Sequence, residues 1–300
     1  MTRSWATAFA PASVGNVAIG FDILGFSVSA LGDRVTVSRT ETRGVTITEI
    51  TGVAGSLPTD PAQNTAGRAL LAMQEAKQPG FGFAMRIDKG IPLGSGLGGS
   101  AASAVGAVVA ANALLPQPCG KLELLKYAMQ GEAVASGSLH VDNISSSLFG
   151  GLVLTVGIDH PRVKQIPVPE GIRAVIVHPH MFLSTRQARA ILKRSVELSD
   201  FVWQTANLAG FISGCYTHDL DMIRASFEDV VIEPQRQAQI PASRRCASRP
   251  CGRGRSAARS PGRVPRSSPG HSPRMRMGCS RPSGGSSPQP PSASTSGWWA

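Results

Sequence analysis

Four glycines, Gly94, Gly96, Gly98 and Gly99, fall within six residues of one stretch, Ile91 to Ser103, and then stop. The residues after them are small and apolar: Ala101, Ala102, Ala104, Val105, Ala107, Val108 and Val109. This pattern predicts a glycine-rich loop running into a closely packed helix over Ser100 to Leu115. Glycine reaches positive φ at little cost, so successive main-chain N–H groups can be aimed at one point. The first N–H groups of a helix lack internal partners, and the helix dipole makes that end positive. A loop of this build suits a phosphate group.

Two familiar phosphate loops do not fit. Gly94-x-Gly96-x-x-Gly99 matches a dinucleotide fingerprint, which opens directly from a strand and carries an acidic residue about 20 positions later. Here Asp88, Lys89 and Pro92 intervene, and Leu115 to Cys119 holds no carboxylate. A Walker loop requires Gly-Lys-Ser/Thr, and no lysine occurs between Lys89 and Lys121. A plain flexible turn is the bland alternative, and four glycines with two flanking serines are a costly way to make one.

The stretch Pro92, Leu93, Gly94, Ser95, Gly96, Leu97, Gly98, Gly99, Ser100, Ala101, Ala102 closely resembles the nucleotide loop of the GHMP kinases, named for galactose, homoserine, mevalonate and phosphomevalonate. The resemblance covers roughly residues 6–240 and implies ATP bound through these eleven residues. Gly99 departs from it, since serine is more usual there. The implied fold class is α+β, the two-domain GHMP-kinase fold. Residues 1–158 would form a ribosomal-protein-like, left-handed βαβ ATP-binding domain, and residues 170–240 part of a ferredoxin-like second domain.

Further segments narrow the resemblance to its homoserine branch. Pro11-Ala-Ser-x-x-Asn16 followed by Gly20-Phe-Asp22 is similar to a substrate motif there; on residue types alone it is equally a turn-rich loop. The resemblance makes Asn16 and Asp22 ligands of L-homoserine. Ser136 to Asn143 is similar to a second substrate segment, implying contacts from His140 and Asn143. Asn143 stands where sister kinases carry an aspartate proposed as general base. An amide cannot take that proton. Asn143 and Asn16 would then act by positioning, which together with charge neutralisation supplies most of the acceleration in phosphoryl transfer. Arg189, with Arg186 as its neighbouring competitor, and Arg236 match positions whose arginines meet the substrate, and a planar guanidinium suits a carboxylate. Glu132 is read on residue type as a surface carboxylate; the resemblance instead pairs it with Ser100 as a holder of Mg²⁺.

The remaining elements are expected from periodicity and turn signals. Strands are expected at Trp5–Ala12, Phe26–Thr40 with a turn at Gly32-Asp33, Val45–Ile50, Gly82–Ile87, Gly150–Val156 and 173–178. Helices are expected at Pro61–Lys77 opening near Asn64, Leu122–Ala135, Phe201–Cys215 and Leu220–Val231, and one begins near Ser184. Pro161–Pro169 reads as a linker.

The formal charge of +11 would suit a nucleic-acid partner, but it is unevenly placed. Residues 241–300 hold 11 Arg and no Lys, Asp or Glu, leaving 19 basic and 19 acidic groups in residues 1–240. That segment also has no Leu, Ile or Phe, so it is read as a disordered Arg/Pro/Ser/Gly-rich tail that cannot repay ordering. Such a composition without lysine is what a GC-rich gene yields when translated out of frame, and activity is expected to be impaired in this form. A basic arm binding RNA is the competing reading of the tail. Cysteine use, without a CxxC pair, suggests a reducing cytoplasm, and no apolar run reaches membrane-spanning length. The partner that the resemblance implies is L-homoserine; neither a membrane nor a nucleic acid is expected, and a homodimer is compatible. The rivals are another GHMP small-molecule kinase and a non-catalytic nucleotide- or nucleic-acid-binding remnant.

Overall fold

The computed structural model describes residues 3–53, 56–136, 141–178, 184–239 and 276–277 of the 300. Its organising strand is β2 (Leu24–Thr40), a 17-residue ribbon that pairs along almost its whole length with β1 (Trp5–Gly15). On its other edge β2 changes partner. Its first residues pair with β5 (Leu152–Val156), and Arg34 to Thr40 pair with β4 (Gly82–Lys89). β3 (Val45–Gly52) runs parallel to β4, joined to it through helix α1 (Thr65–Lys77), and β6 (Arg162–Ile166) pairs antiparallel with β5. The resulting order is β3-β4-β2-β5-β6, with β1 on β2.

Alternation explains which face is covered. Ala6, Ala8, Ala10 and Ala12 of β1, Val35 and Val37 of β2, and Phe83, Met85 and Ile87 of β4 are buried. Intervening residues such as Trp5 and Phe9 stay exposed, as period-two patterning dictates. Onto the buried face pack α1, α2 (Gly99–Asn112), α3 (Lys121–Ser136) and α4 (Asp142–Phe149). Helix α2 is the middle one: it lies on β1 and β2 with α1, α3 and α4 around it. Almost all its residues are buried, which is why they are small on every side rather than on one stripe. At Gly106 a Cβ would meet Val35 Cγ2 at 2.8 Å, so the helix could not sit this close with a larger residue there.

After β6 the described chain is mainly helical. It contains α5 (Thr185–Ala190), α6 (Leu198–Thr217), α7 (Leu220–Ser226) and α8 (Glu233–Arg236). A two-residue strand β7 (Ala174–Val175) pairs with β8 (Arg276–Met277). No described helix is long and apolar enough to cross a membrane.

Several expectations need correction. Gly32-Asp33 does not turn the chain: the irregularity is absorbed as a register shift opposite Pro11/Ala12, and β2 continues through it. Pro161–Pro169 is not a linker, because Arg162–Ile166 pairs with β5. The strand expected over 173–178 shrinks to two residues. The helix expected to reach Val231 ends at Ser226, after which Asp229 caps a separate turn by accepting the amides of Val231, Ile232 and Glu233. Helix α4 has no counterpart among the expected elements. His140 and nearly all of 241–300 lie outside the described residues.

Candidate active site

The glycines of the loop do what their spacing implies. Gly94, Gly96 and Gly98 take φ of 67°, 73° and 64°, in the left-handed region that side chains rarely enter. Gly98 caps α2 with no side-chain hydrogen bond, so the helix opens with bare amides. A Cβ on Gly98 would lie 2.2 Å from Ser13 Oγ, so the loop can lie against β1 only with glycine here. The Ser13 amide donates to the Leu97 carbonyl at 3.1 Å, fixing that approach.

This loop forms one wall of a cleft of about 220 Å³. The cleft gathers Pro92, Leu93, Gly94, Ser95, Gly96, Gly98, Gly99 and Ser100 with Glu132, Asn143, Asn16, Asp22, Arg189 and Arg236. Fourteen residues singled out across more than 200 positions of sequence thus meet at one place. Leu97, Ala101 and Ala102 do not line it; they are buried in the core, and the Ala102 amide already donates to the Gly98 carbonyl. Their part in the loop is packing.

Opposite the glycines runs the segment Gly15 to Ile23. Asn16, Val17 and Ala18 all have positive φ, at 68°, 43° and 57°. For a β-branched residue such as Val17 this is strained backbone, and such strain gathers at functional sites. The turn closes through the Gly20 amide donating to the Asn16 carbonyl at 2.7 Å. It delivers two contacts: Asn16 Oδ1 accepts the Asp22 amide at 3.0 Å, and the Asn16 amide donates to Asp142 Oδ2 at 3.1 Å.

Asp142 is not among the residues that the sequence marks. It begins α4, which Ser147 ties to β1 by donating to the Pro11 carbonyl. Asp142 is buried in the cleft wall, and its Oδ1 has no hydrogen-bond partner. Burial, reinforced by the nearby Asp22 charge, pushes its carboxyl up to about 6. Its neighbour Asn143 is oriented by Ser13, whose hydroxyl donates to Asn143 Oδ1 at 3.0 Å.

At the mouth of α2, Ser100 Oγ donates to Glu132 Oε2 at 2.8 Å. Glu132 is 9% exposed rather than on the surface. Burial raises its carboxyl to about 7, opposed by the Ser100 hydrogen bond. Among the described residues no cluster of three or more His, Cys, Asp or Glu forms a metal cage. One carboxylate with one hydroxyl beside an anion-binding loop is nevertheless the donor set Mg²⁺ uses when phosphate oxygens and waters complete its shell.

The far wall comes from the helical half. Arg189 Nη2 donates to Asp22 Oδ1 at 2.5 Å, and Arg236 Nε donates to the Ala188 carbonyl at 3.1 Å. Both guanidinium groups lie on the ring of Phe21, at 5.0 and 4.9 Å from its centroid. Burial and the neighbouring Arg189 charge pull the Arg236 guanidinium below its usual range. Two guanidiniums sharing one aromatic ring with one aspartate present a positive end to the cleft, with carboxylates beside it. Phe21, inside the Gly20-Phe-Asp22 motif, and Thr185, at the start of α5, also line the cleft, though neither is among the expected site residues.

Comparison with known proteins gives one consistent answer. The family model for the GHMP kinases N terminal domain matches residues 64–151. Homoserine kinase of Xylella fastidiosa (strain M12) is 50% identical over 239 residues, which span 80% of this chain and 73% of that protein. Homoserine kinase of Chloroherpeton thalassium is 42% identical over 245 residues, covering 78% and 77%. The crystal structure of homoserine kinase from Cytophaga hutchinsonii superposes with a TM-score of 0.77 at 39% identity, covering 83% of this chain and 81% of that one. Mevalonate kinase of L. major has a TM-score of 0.57 at 17% identity, a likeness of fold alone.

Proposed function

The chain belongs to the homoserine kinase family of GHMP kinases, and on that footing we propose that it transfers the γ-phosphoryl group of ATP to the side-chain hydroxyl of L-homoserine. The product is O-phospho-L-homoserine, on the route to threonine. The observation that carries this reading is the opposition, within one cleft, of a bare helix mouth to a paired Asp22 and Arg189 with Arg236 alongside. One wall suits a polyphosphate. The other suits a zwitterion, which can exchange the Asp22–Arg189 bond for two of its own: carboxylate to the arginines, ammonium to the acids.

Each residue then has a task. Amides of residues 94–100 receive the phosphates, and their fixed backbone needs no reorganisation when charge shifts. Arg189 and Arg236 hold the substrate carboxylate, and Asp22 with Asn16 faces the ammonium end. Asp142, by accepting the Asn16 amide, holds that turn in place. Asn143, held by Ser13, orients the attacking hydroxyl. Ser100 and Glu132 would hold Mg²⁺, which neutralises charge on the phosphates when bound. With Asn143 unable to act as base, positioning and charge supply the acceleration. His140 belongs to the same substrate proposal.

The proposal divides the chain into an ATP-binding domain over 1–158, a partial second domain over 170–240, and a tail from 241 that is out of frame. It places the protein in the cytoplasm and admits a homodimer. The test is ATP-dependent phosphorylation with a panel of homoserine, mevalonate and galactose. It should be run on this chain and on a version whose reading frame is restored after residue 240. Homoserine should be preferred, and the restored version should turn over faster. Equal turnover from both refutes the tail reading; preference for another alcohol refutes the substrate.

A further inference from the structure

Beneath the glycine loop lies an ion pair that the cleft chemistry leaves unused. Lys89 ends β4 and Asp33 sits in the middle of β2; they are 2% and 0% exposed and bonded to each other. Neither lines the cleft. Lys89 Nζ also donates to the Gly99 carbonyl at 2.7 Å and to Ser103 Oγ at 2.8 Å. The Ser103 hydroxyl in turn donates to Asp33 Oδ2 at 2.7 Å. The other oxygen, Asp33 Oδ1, accepts the amides of Gly90 at 3.1 Å and Ile91 at 3.2 Å.

These bonds reach two places only. Gly90 and Ile91 are the entry to the phosphate loop; Gly99 and Ser103 are its exit, in the first two turns of α2. The loop between them spans residues 92–98 and is held at both ends by one charge-neutral pair. A buried ion pair gives little net stability, because desolvation offsets the attraction and an apolar pair of similar size often does as well. Its geometry is what an apolar pair could not supply: directed bonds to two amides, a carbonyl and a hydroxyl.

We infer that Asp33, Lys89 and Ser103 are positioning residues that clamp the two ends of the phosphate loop before nucleotide arrives. The inference rests on the proposed nucleotide role of that loop. Fixing the ends in advance lowers the ordering cost of binding and holds the amides at one spacing. The Ser13 amide holds the loop against β1 near Leu97; the clamp adds fixed ends on either side of the glycines.

Two variants of the full chain test this. Ser103→Ala removes the hydroxyl that bridges the pair and leaves both charges in place. Lys89→Met with Asp33→Leu replaces the pair by apolar side chains and avoids an unpaired buried charge. Hydrogen exchange of nucleotide-free protein should show amides of residues 93–99 exchanging about tenfold faster in both, with α1 and α3 unchanged. Titration with a fluorescent trinitrophenyl-ATP should show affinity weakened about tenfold in both; the double variant melts below the parent, because the Gly90 and Ile91 amides and the Gly99 carbonyl lose their partners. Parental loop exchange in the double variant overturns the clamp, as does acceleration spread equally over α1 and α3. Should the parent itself fail to bind the analogue, the nucleotide reading falls instead, and loop exchange still decides the clamp.

Discussion

Arg189 donates to Asp22 at 2.5 Å across 167 residues of sequence, joining the helical half of the chain to the strained turn after β1. Both side chains are about a third exposed, so the pair adds little to stability. In the proposed function its position in the cleft makes it a pair of charges that a zwitterionic amino acid can separate and satisfy. Asp22→Asn and Arg189→Ala should therefore melt close to the parent. Each should raise KM for homoserine by about 10- to 100-fold, the effect of losing one charge-assisted hydrogen bond, with KM for ATP nearly unchanged. Steady-state kinetics with each substrate varied in turn checks the split.

Glu132 makes stability depend on pH in a definite direction. Its carboxyl sits near 7 in the fold against an ordinary 4.5, because burial disfavours the charged form. The folded state therefore binds the proton more tightly than the unfolded chain. The contribution to stability is full below about 4.5 and is lost as pH rises through about 7. The whole effect is at most roughly 3 kcal/mol, from 1.36 kcal/mol per unit. Glu132→Gln should flatten that decline, leaving the smaller part from Asp142, whose carboxyl sits near 6. Urea unfolding at about pH 5 and about pH 8 in a chelator measures it. If Glu132 holds Mg²⁺, added magnesium with nucleotide should restore stability at the higher pH in the parent and not in the variant.

The parts legible in the sequence were those with one dominant cause. Alternation in β1, β2 and β4, the Asn64 cap that accepts the Ala66 and Gly67 amides, and the glycine loop each answer to local chemistry. What stayed hidden depends on partners far along the chain. Gly32-Asp33 carries a turn signal, yet Asp33 is buried beneath Lys89, 56 residues away, and the strand continues. Asp142 is one polar residue of a loop-like segment until the fold brings up Asn16, 126 residues earlier, whose amide donates to it. Phe21 is one aromatic among ten phenylalanines, and only the fold lays two guanidiniums on it. Arg162–Ile166 reads as a linker because β6 is short and mostly exposed, and its register against β5 is set by tertiary pairing.

Gly98→Ala is expected to damage the site by two separable routes. The residue holds φ of 64°, which costs an L side chain roughly 1 kcal/mol. The added Cβ would also lie 2.2 Å from Ser13 Oγ and 2.9 Å from Asn143 Oδ1. Since Ser13 orients Asn143, displacing it should lower kcat as well as nucleotide affinity. Adding Ser13→Gly relieves the closer clash and leaves the contact with Asn143 and the backbone strain. The double variant should therefore recover melting temperature in part and leave kcat low, because Asn143 has lost its partner. Differential scanning calorimetry beside single-turnover kinetics separates the two routes.

Gln204 links the two walls of the cleft from behind. From α6 its Nε2 donates to the Ile19 carbonyl at 3.0 Å, and its Oε1 accepts the Val230 amide at 2.9 Å. One amide side chain thus ties the turn carrying Asn16 and Asp22 to the segment leading into Arg236. Gln204→Ala removes both bonds, and neither Gln204 nor its partners Ile19 and Val230 line the cleft. Two neutral hydrogen bonds are worth about 1–3 kcal/mol together. If that tie sets the spacing between Asp22 and Arg236, the variant should lose about tenfold in kcat/KM for homoserine while binding ATP as before. Gln204→Glu keeps the acceptor for Val230 and loses the donor to Ile19, so it should fall between the two. Equal kcat/KM in parent and alanine variant would mean that packing of α6 alone holds the walls apart.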